Sequence, residues 1–368
     1  VDQGHFKLGA YATSGDVLGQ QEVFAGLAVA PANLDRDLFA EYQYRGWRPT
    51  LFLDVYYQVR HSARRDSSAA NDFVVTGVDY DLMQASVGLR HQPSRRTEVI
   101  FSATYDRYDG SLKWRAPVSG TGLGSRWEQQ RPFGYTYLNG FDLGLTYTFA
   151  DPARRRDSDI NPRGRRIWAR YDRLFNYFME GFDEDATFIK EKYLHLFYNQ
   201  LTLDWQEYVG LPWSTTLGLR FYGGWITSSK VDSSLVNSFF DYHLGGLTYM
   251  KGYTFYSVEG RKAAMATATF RFPLLADRRW QVAHLYLERV YGALYGGAGK
   301  AWDRHFSDPD PFYGRKGPLR DVGGQVRLDL ISYYSVPTRV EVDAARGIDE
   351  VAGRSPWKYY LTVLFGYP

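Results

Sequence analysis

Gly296-Gly297-Ala298-Gly299-Lys300-Ala301 is the run that comes closest to a catalytic signature. A glycine-rich loop ending in lysine can cradle phosphates with its backbone N–H groups, provided a glycine stands five positions earlier and a Ser or Thr follows to reach magnesium. Leu294 and Ala301 occupy those two places, so the phosphate-loop reading fails. Small residues at such positions suit instead a strand that must make room for a neighbouring chain. The seven histidines (His5, His61, His91, His195, His243, His284, His305) have no metal-ligand spacing. Carboxylates are spread along the whole chain, and no pair stands out as acid and base. No spacing selects a Ser/His constellation, and the absence of cysteine removes thiolate chemistry and disulfides. The expectation is a protein that is not an enzyme and holds no cofactor and no metal.

What remains distinctive is Gly245-Gly246-Leu247-Thr248-Tyr249-Met250-Lys251-Gly252-Tyr253-Thr254-Phe255-Tyr256-Ser257-Val258-Glu259-Gly260-Arg261. A long loop of this kind is either disordered or held inside something, and its glycines and aromatics argue for held. The segment after it alternates cleanly, with Ala266, Ala268, Phe270 and Phe272 on one face and Met265, Thr267, Thr269 and Arg271 on the other.

Composition says what could hold such a loop. The 368 residues include 30 Tyr, 23 Phe, 10 Trp and 36 Gly, yet the mean hydropathy is negative. No apolar run reaches the length of a transmembrane helix. Aromatic-rich but polar on average is what alternation produces when one strand face meets lipid and the other meets water. A net charge of +3 is too small to imply a nucleic-acid partner.

Alternating segments recur along the chain. The spacing predicts strands at 4–13, 23–29, 38–45, 50–61, 73–92, 97–108, 136–149, 165–178, 190–206, 214–228, 262–274, 280–302, 320–333, 337–347 and 356–367. Residues 109–135 and Glu180–Asp185 read as loops. Phe141, Leu143, Leu145, Tyr147 and Phe149 share one face of the clearest strand. On the polar side of two late strands Gln325, Arg327 and Asp329 precede Arg339, Glu341 and Asp343. A charge facing lipid costs about 2–4 kcal/mol at the midplane, whereas in a watery lumen it can pair. The fold class expected is an all-β transmembrane antiparallel β-barrel spanning 1–368, with about fifteen strands visible. Even strand numbers predict sixteen in the complete barrel, the missing one lying before Val1 or in a weak strand near 235–245.

Leu247–Arg261 followed by Phe270-Arg271-Phe272-Pro273-Leu274 resembles the sixth-loop signature and next strand of the BamA-type superfamily. These are sixteen-stranded outer-membrane barrels of assembly factors and two-partner secretion transporters, also called bacterial surface antigen domains. Leu294–Trp302 resembles the next motif, a strand ending in Gly, a basic residue and Trp, and Val322–Leu328 the glycine-led later strand. Ser14-Gly15-Asp16-Val17-Leu18-Gly19 is similar to relatives that carry a TolB-like propeller before the barrel. Tyr359, Leu361, Val363 and Phe365 resemble the terminal aromatic signal of such barrels, although Gly366-Tyr367-Pro368 follows.

The resemblance implies that residues 229–260 fold inward as a plug. In the family the loop motif reads Val-Arg-Gly-Phe/Tyr, and its arginine meets an aspartate of the following motif. Here the motif is Lys251-Gly252-Tyr253, and the aspartate position is Gly297. Lysine lacks the planar bidentate fork, so Lys251 is expected to find another acid among Asp329, Glu341 and Asp343, with Arg271 a further lumen candidate. The implied function is insertion or translocation of protein substrates at the bacterial outer membrane, through weak closure between first and last strands. Outer-membrane lipid and a periplasmic domain or accessory proteins would be its partners. A passive pore or membrane anchor is the alternative.

Overall fold

The computed structural model describes residues 7–31, 33–63, 74–117, 127–129, 133–151, 162–185, 188–227, 241–254, 257–275, 280–282, 285–310, 314–332, 336–349 and 357–365. Among them there is no helix, and nineteen strands account for most of the chain. The first seven are β1 (Leu8–Gly15), β2 (Gln21–Val29), β3 (Arg36–Tyr44), β4 (Thr50–Ala63), β5 (Val74–Ser94), β6 (Thr97–Pro117) and β7 (Trp127–Gln129). Then come β8 (Phe133–Ala150), β9 (Gly164–Asp185), β10 (Phe188–Leu211), β11 (Thr215–Ile226), β12 (Tyr242–Leu244) and β13 (Val258–Gly260). The last six are β14 (Lys262–Leu275), β15 (Trp280–Val282), β16 (Leu285–Trp302), β17 (Leu319–Ser332), β18 (Val336–Gly347) and β19 (Lys358–Phe365). Seventeen belong to one sheet, and β12 with β13 forms a second of two strands.

Several boundaries differ from those expected. Glu180–Asp185 is the end of β9, not a loop, and β6 runs on to Pro117 into the stretch read as a loop. The segment 280–302 is a short hairpin, β15 with β16. The described end of the weak 235–245 segment pairs with β13 in the separate small sheet, so it adds no strand to the large one. Residues 229–240, Phe255, Tyr256 and Gly366–Pro368 lie outside the described residues.

The chain divides into two compact units, one of 1–93, 99–145 and 172–199, the other of 94–98, 146–171 and 200–368. In the first, β1 to β5 form an antiparallel meander. Leu27, Leu38, Leu53 and Val87 lie on one face and are exposed. The other face carries Asp37, held by Lys7 and Arg60 at 2.9 and 2.7 Å, and the Gln84–Asp106 hydrogen bond. Ser14–Gly19 is the end of β1 and the following turn; Gly19 adopts φ 64°, and Asp16 Oδ1 accepts from Gln21 N at 2.8 Å.

In the second unit β10, β11, β14, β16, β17, β18 and β19 pair in that order. Register places Leu203, Phe221, Leu294, Val326, Val342 and Leu361 on one face, all well exposed, up to 70% for Leu361. The opposite face holds Asp204, Arg220, Arg271, Arg327, Asp329, Glu341 and Asp343. This is the reverse of a water-soluble sheet, which buries its apolar face. Contiguous exposed apolar patches beyond a few hundred Å² are rare on soluble monomers, and here the apolar face runs from strand to strand. It matches lipid, which takes apolar side chains at no hydrophobic cost. No helix among the described residues is long and apolar enough to cross a membrane, so strands carry the hydrophobic surface.

Candidate functional site

The polar face of the second unit receives the loop between β12 and β14. Gly245 and Gly246, at φ 103° and 89°, turn the chain sharply after β12, in a backbone region that side chains disfavour. Gly246 N donates to the carbonyls of Met250 and Tyr253, at 3.0 and 3.1 Å, and closes the turn on itself. Met250 and Tyr253 are completely buried. Space for Met250 exists because Gly299 lies beneath its sulfur: a Cβ there would sit 2.8 Å from Sδ.

Lys251, Gly252 and Tyr253 are gripped by three strands. Gly252 N donates to Asp321 Oδ2 on β17 at 3.1 Å, and Gly252 O accepts from Gly347 N at the end of β18 at 3.1 Å. On β19, Lys358 Nζ donates to Gly252 O at 2.9 Å and Tyr360 Oη to Lys251 O at 2.8 Å. Tyr253 Oη donates to Arg320 O at 2.8 Å, while its ring packs over Gly347. Gly252 has no room for a side chain, since a Cβ would lie 2.5 Å from Arg346 C and Gly347 N. Backbone approach this close requires glycine.

Lys251 Nζ bonds Asp343 Oδ1 on β18 and lies 5.0 Å from the centre of the Tyr295 ring. Asp343 is 1% exposed and also accepts from Gln325 Nε2 at 3.1 Å. The other two candidate acids are engaged elsewhere. Asp329 accepts from Arg327 and Arg339 at 3.4 and 3.2 Å, and Glu341 lies 3.5 Å from Arg327. Arg271, on β14, does not reach the loop motif by any described hydrogen bond; its guanidinium lies over the Tyr208 ring at 5.6 Å.

Gly297, where the resemblance places an aspartate, faces Asp321 across the β16–β17 ladder. A Cβ on Gly297 would come within 2.8 Å of Asp321 Oδ1. The carboxylate is therefore supplied from the next strand, through the gap that the glycine leaves, and it binds the backbone of Gly252. Nothing near residue 297 in the sequence reveals this, because Asp321 is 24 positions away and arrives only through strand register.

Lys300 ends the false phosphate loop with a different task. It is 2% exposed, and its Nζ donates to the carbonyls of Phe306, Asp308 and Lys316, the Asp308 bond at 2.8 Å. A buried ammonium must be satisfied by acceptors, and here it organises the connection between β16 and β17. On the face that meets the loop, Arg220 forms a two-bond pair with Asp204, at 3.0 and 2.7 Å, and donates to Thr248 O at 2.8 Å.

A second clasp lies just beyond β18. Asp349, 3% exposed, accepts from Arg320 N, Nε and Nη2 at 2.8, 3.0 and 2.8 Å and from Arg315. The Arg320 side chain holds its carboxyl below the usual carboxylate range, against the opposing effect of burial. Because folding lowers this pKa, the stabilisation is present above the unfolded value of about 3.9 and is lost as pH falls from there through the lower folded value. Hydrogen exchange at Ile348 N, which donates to Arg320 O, should lose protection progressively as pH falls below about 4, once intrinsic rates are corrected. In Asp349→Asn that slope should flatten; an unchanged slope would assign the acid sensitivity to another group.

No protein-family model and no curated protein sequence matches the chain. Solved structures do. BamA from Haemophilus ducreyi lacking POTRA domains 1–3 aligns with a TM-score of 0.61 at 12% identity, over 98% of this chain and 67% of that one. CdiB from Escherichia coli aligns with a TM-score of 0.50 at 14% identity, over 97% of this chain and 59% of that one. CdiB from Acinetobacter baumannii gives 0.50 and 10%, over 98% and 57%. The chain thus spans under two thirds of the length of either CdiB protein, and its fold is that of the BamA and CdiB outer-membrane barrels.

Proposed function

We propose that this chain is the outer-membrane barrel of a protein assembly or translocation machine, with its sixth loop folded into the lumen. The observation that carries the reading is the grip of β17, β18 and β19 on the backbone of Lys251–Tyr253. Four polar contacts to main-chain atoms hold the loop irrespective of most side chains, which suits a structural plug rather than a catalytic arm. Asp321 in the gap above Gly297 supports the same reading, since a carboxylate in contact with the loop is retained although its strand has changed. The exposed apolar face supports contact with lipid, as a barrel in the bacterial outer membrane requires. Protein substrates and a periplasmic domain or accessory subunit are its partners.

Depletion of the protein, followed by a quantitative census of outer-membrane barrels and secreted proteins, tests the proposal. Loss of several unrelated barrels, or of one secreted substrate, is the expected result. Unchanged levels together with a steady single-channel conductance would replace it with a passive pore; unchanged levels with no conductance would replace it with an anchor.

A further inference from the structure

The connection between β1 and β2 is a pinned turn with an apolar tip. Gly19 N donates to Asp16 O at 3.0 Å, Asp16 N donates to Gln21 O at 3.1 Å, and Asp16 Oδ1 accepts from Gln21 N at 2.8 Å. Asp at the first position and Gly at the fourth suit such a turn, whose central positions accept most residues. Those positions hold Val17 and Leu18, 104% and 76% exposed. The backbone and Asp16 close the turn without help from either side chain. Alongside lies the β3–β4 turn, where Arg45 N donates to Gln20 O at 2.6 Å. It presents a third large apolar side chain, Trp47, 62% exposed. Single exposed apolar residues are ordinary on any protein. Three on two joined turns mark a surface that something other than water covers.

The strands leading to these turns identify the covering medium. Trp47 meets the Tyr44 ring edge to face, with ring centres 5.5 Å apart. Tyr44 shares a strand face with Leu38, Ala40 and Tyr42. That is the exposed apolar face of the meander, so the turns prolong the surface that meets lipid. Strands β1, β2 and β3 have 8, 9 and 9 residues, against the roughly 9–11 that a tilted strand needs to cross the hydrocarbon. Strands this short end inside the boundary layer of a bilayer, not clear of it. Arg48, next to Trp47, is exposed and bonds no described residue. We propose that the β1–β2 turn is a membrane anchor, with Val17 and Leu18 inserted just below the headgroups of a phospholipid leaflet. Trp47 lies beside them at headgroup level, which suits a ring that is apolar in its body and polar at its N–H. Arg48 meets lipid phosphate, for which a guanidinium fork is matched. The inference rests on the outer-membrane location and is independent of the assembly reading.

The lack of cysteine allows a single reporter. Leu18→Cys is labelled with a nitrobenzoxadiazole dye, and the full chain is reconstituted into vesicles of phosphatidylcholine and phosphatidylglycerol. Leu361→Cys, on the apolar face of β19, is the reference for a lipid-facing position. The expected result at both positions is blue-shifted emission that lipids with a nitroxide on the acyl chain quench and aqueous iodide does not. Iodide quenching at position 18, with lipid quenching at position 361, would overturn the anchor and leave the barrel in the membrane. Iodide quenching at both would remove the lipid-facing surface on which the inference rests. Blue-shifted emission at position 18 that neither quencher reduces would also overturn the anchor, and would assign the turn to contact with a second copy of the chain. Heat-modifiable migration on a gel checks that each variant folds; should Leu18→Cys fail, Val17→Cys carries the dye in its place.

Discussion

Gly252→Val expels the loop. The valine Cβ would occupy the place of the β18 backbone, 2.5 Å from Arg346 C and Gly347 N. Strand β18 is held there by β17, which pairs with Arg346 and Gly347, and by β19 up to Ala345. The loop must therefore move, and it loses the bonds from Gly252 N to Asp321 and from Gly347 N and Lys358 to Gly252 O. Overpacking of a tight site costs about 1–3 kcal/mol, and each forfeited hydrogen bond adds about 1 kcal/mol. With Tyr253 and Met250 withdrawn from full burial as well, undocking becomes the cheaper state. Two measurements follow. Limited proteolysis should cut within 241–260 in the variant and not in the parent. Conductance in planar bilayers should rise and become noisy as the proposed plug leaves the lumen. A variant with protected loop and unchanged conductance would show that the loop is not the plug.

The second large effect is at the Lys251–Asp343 pair. Removing one member of a buried pair strands the other charge, at about 3–5 kcal/mol. Asp343→Ala should fall near the lower end, about 3 kcal/mol, because the Lys251 side chain is 21% exposed and can reach water. The substitution also deprives Gln325 Nε2 of one acceptor, leaving Glu341. The combined Lys251→Met, Asp343→Leu variant leaves no unpaired charge and should be less destabilised than Asp343→Ala. Urea unfolding in lipid vesicles, arranged as a double-mutant cycle, measures the coupling. Additive single and double effects would mean that the two side chains do not depend on each other.

Much of the sheet was legible from alternation. Phe141–Phe149, Gln325–Leu330 and Arg339–Ala344 read as strands because one face is apolar and the other polar, and the structure places strands there. Legibility fails where that contrast is lost. Glu180–Asp185 continues β9 with acidic residues on both faces, while 109–117 continues β6 with an alternation of Leu112, Trp114 and Ala116 against Ser111, Lys113 and Arg115 that the loop reading passed over. Backbone hydrogen bonds hold the β9 extension, and backbone hydrogen bonds leave no mark in residue type.

The loop motif divides in the same way. Sequence by itself determined that Lys251-Gly252-Tyr253 needs a tight, enclosed seat and that the strands beside it carry acids. It also determined that no phosphate, thiolate or metal chemistry stands in the residue spacing. Only tertiary structure decided which acid meets which donor. Strand pairing over 24 residues brings Asp321 to Gly297, and over 92 residues the loop brings Lys251 to Asp343 rather than to Asp329 or Glu341. Side-chain type records which face of a strand meets water. Register, which adds up over many backbone bonds, assigns the partners on that face.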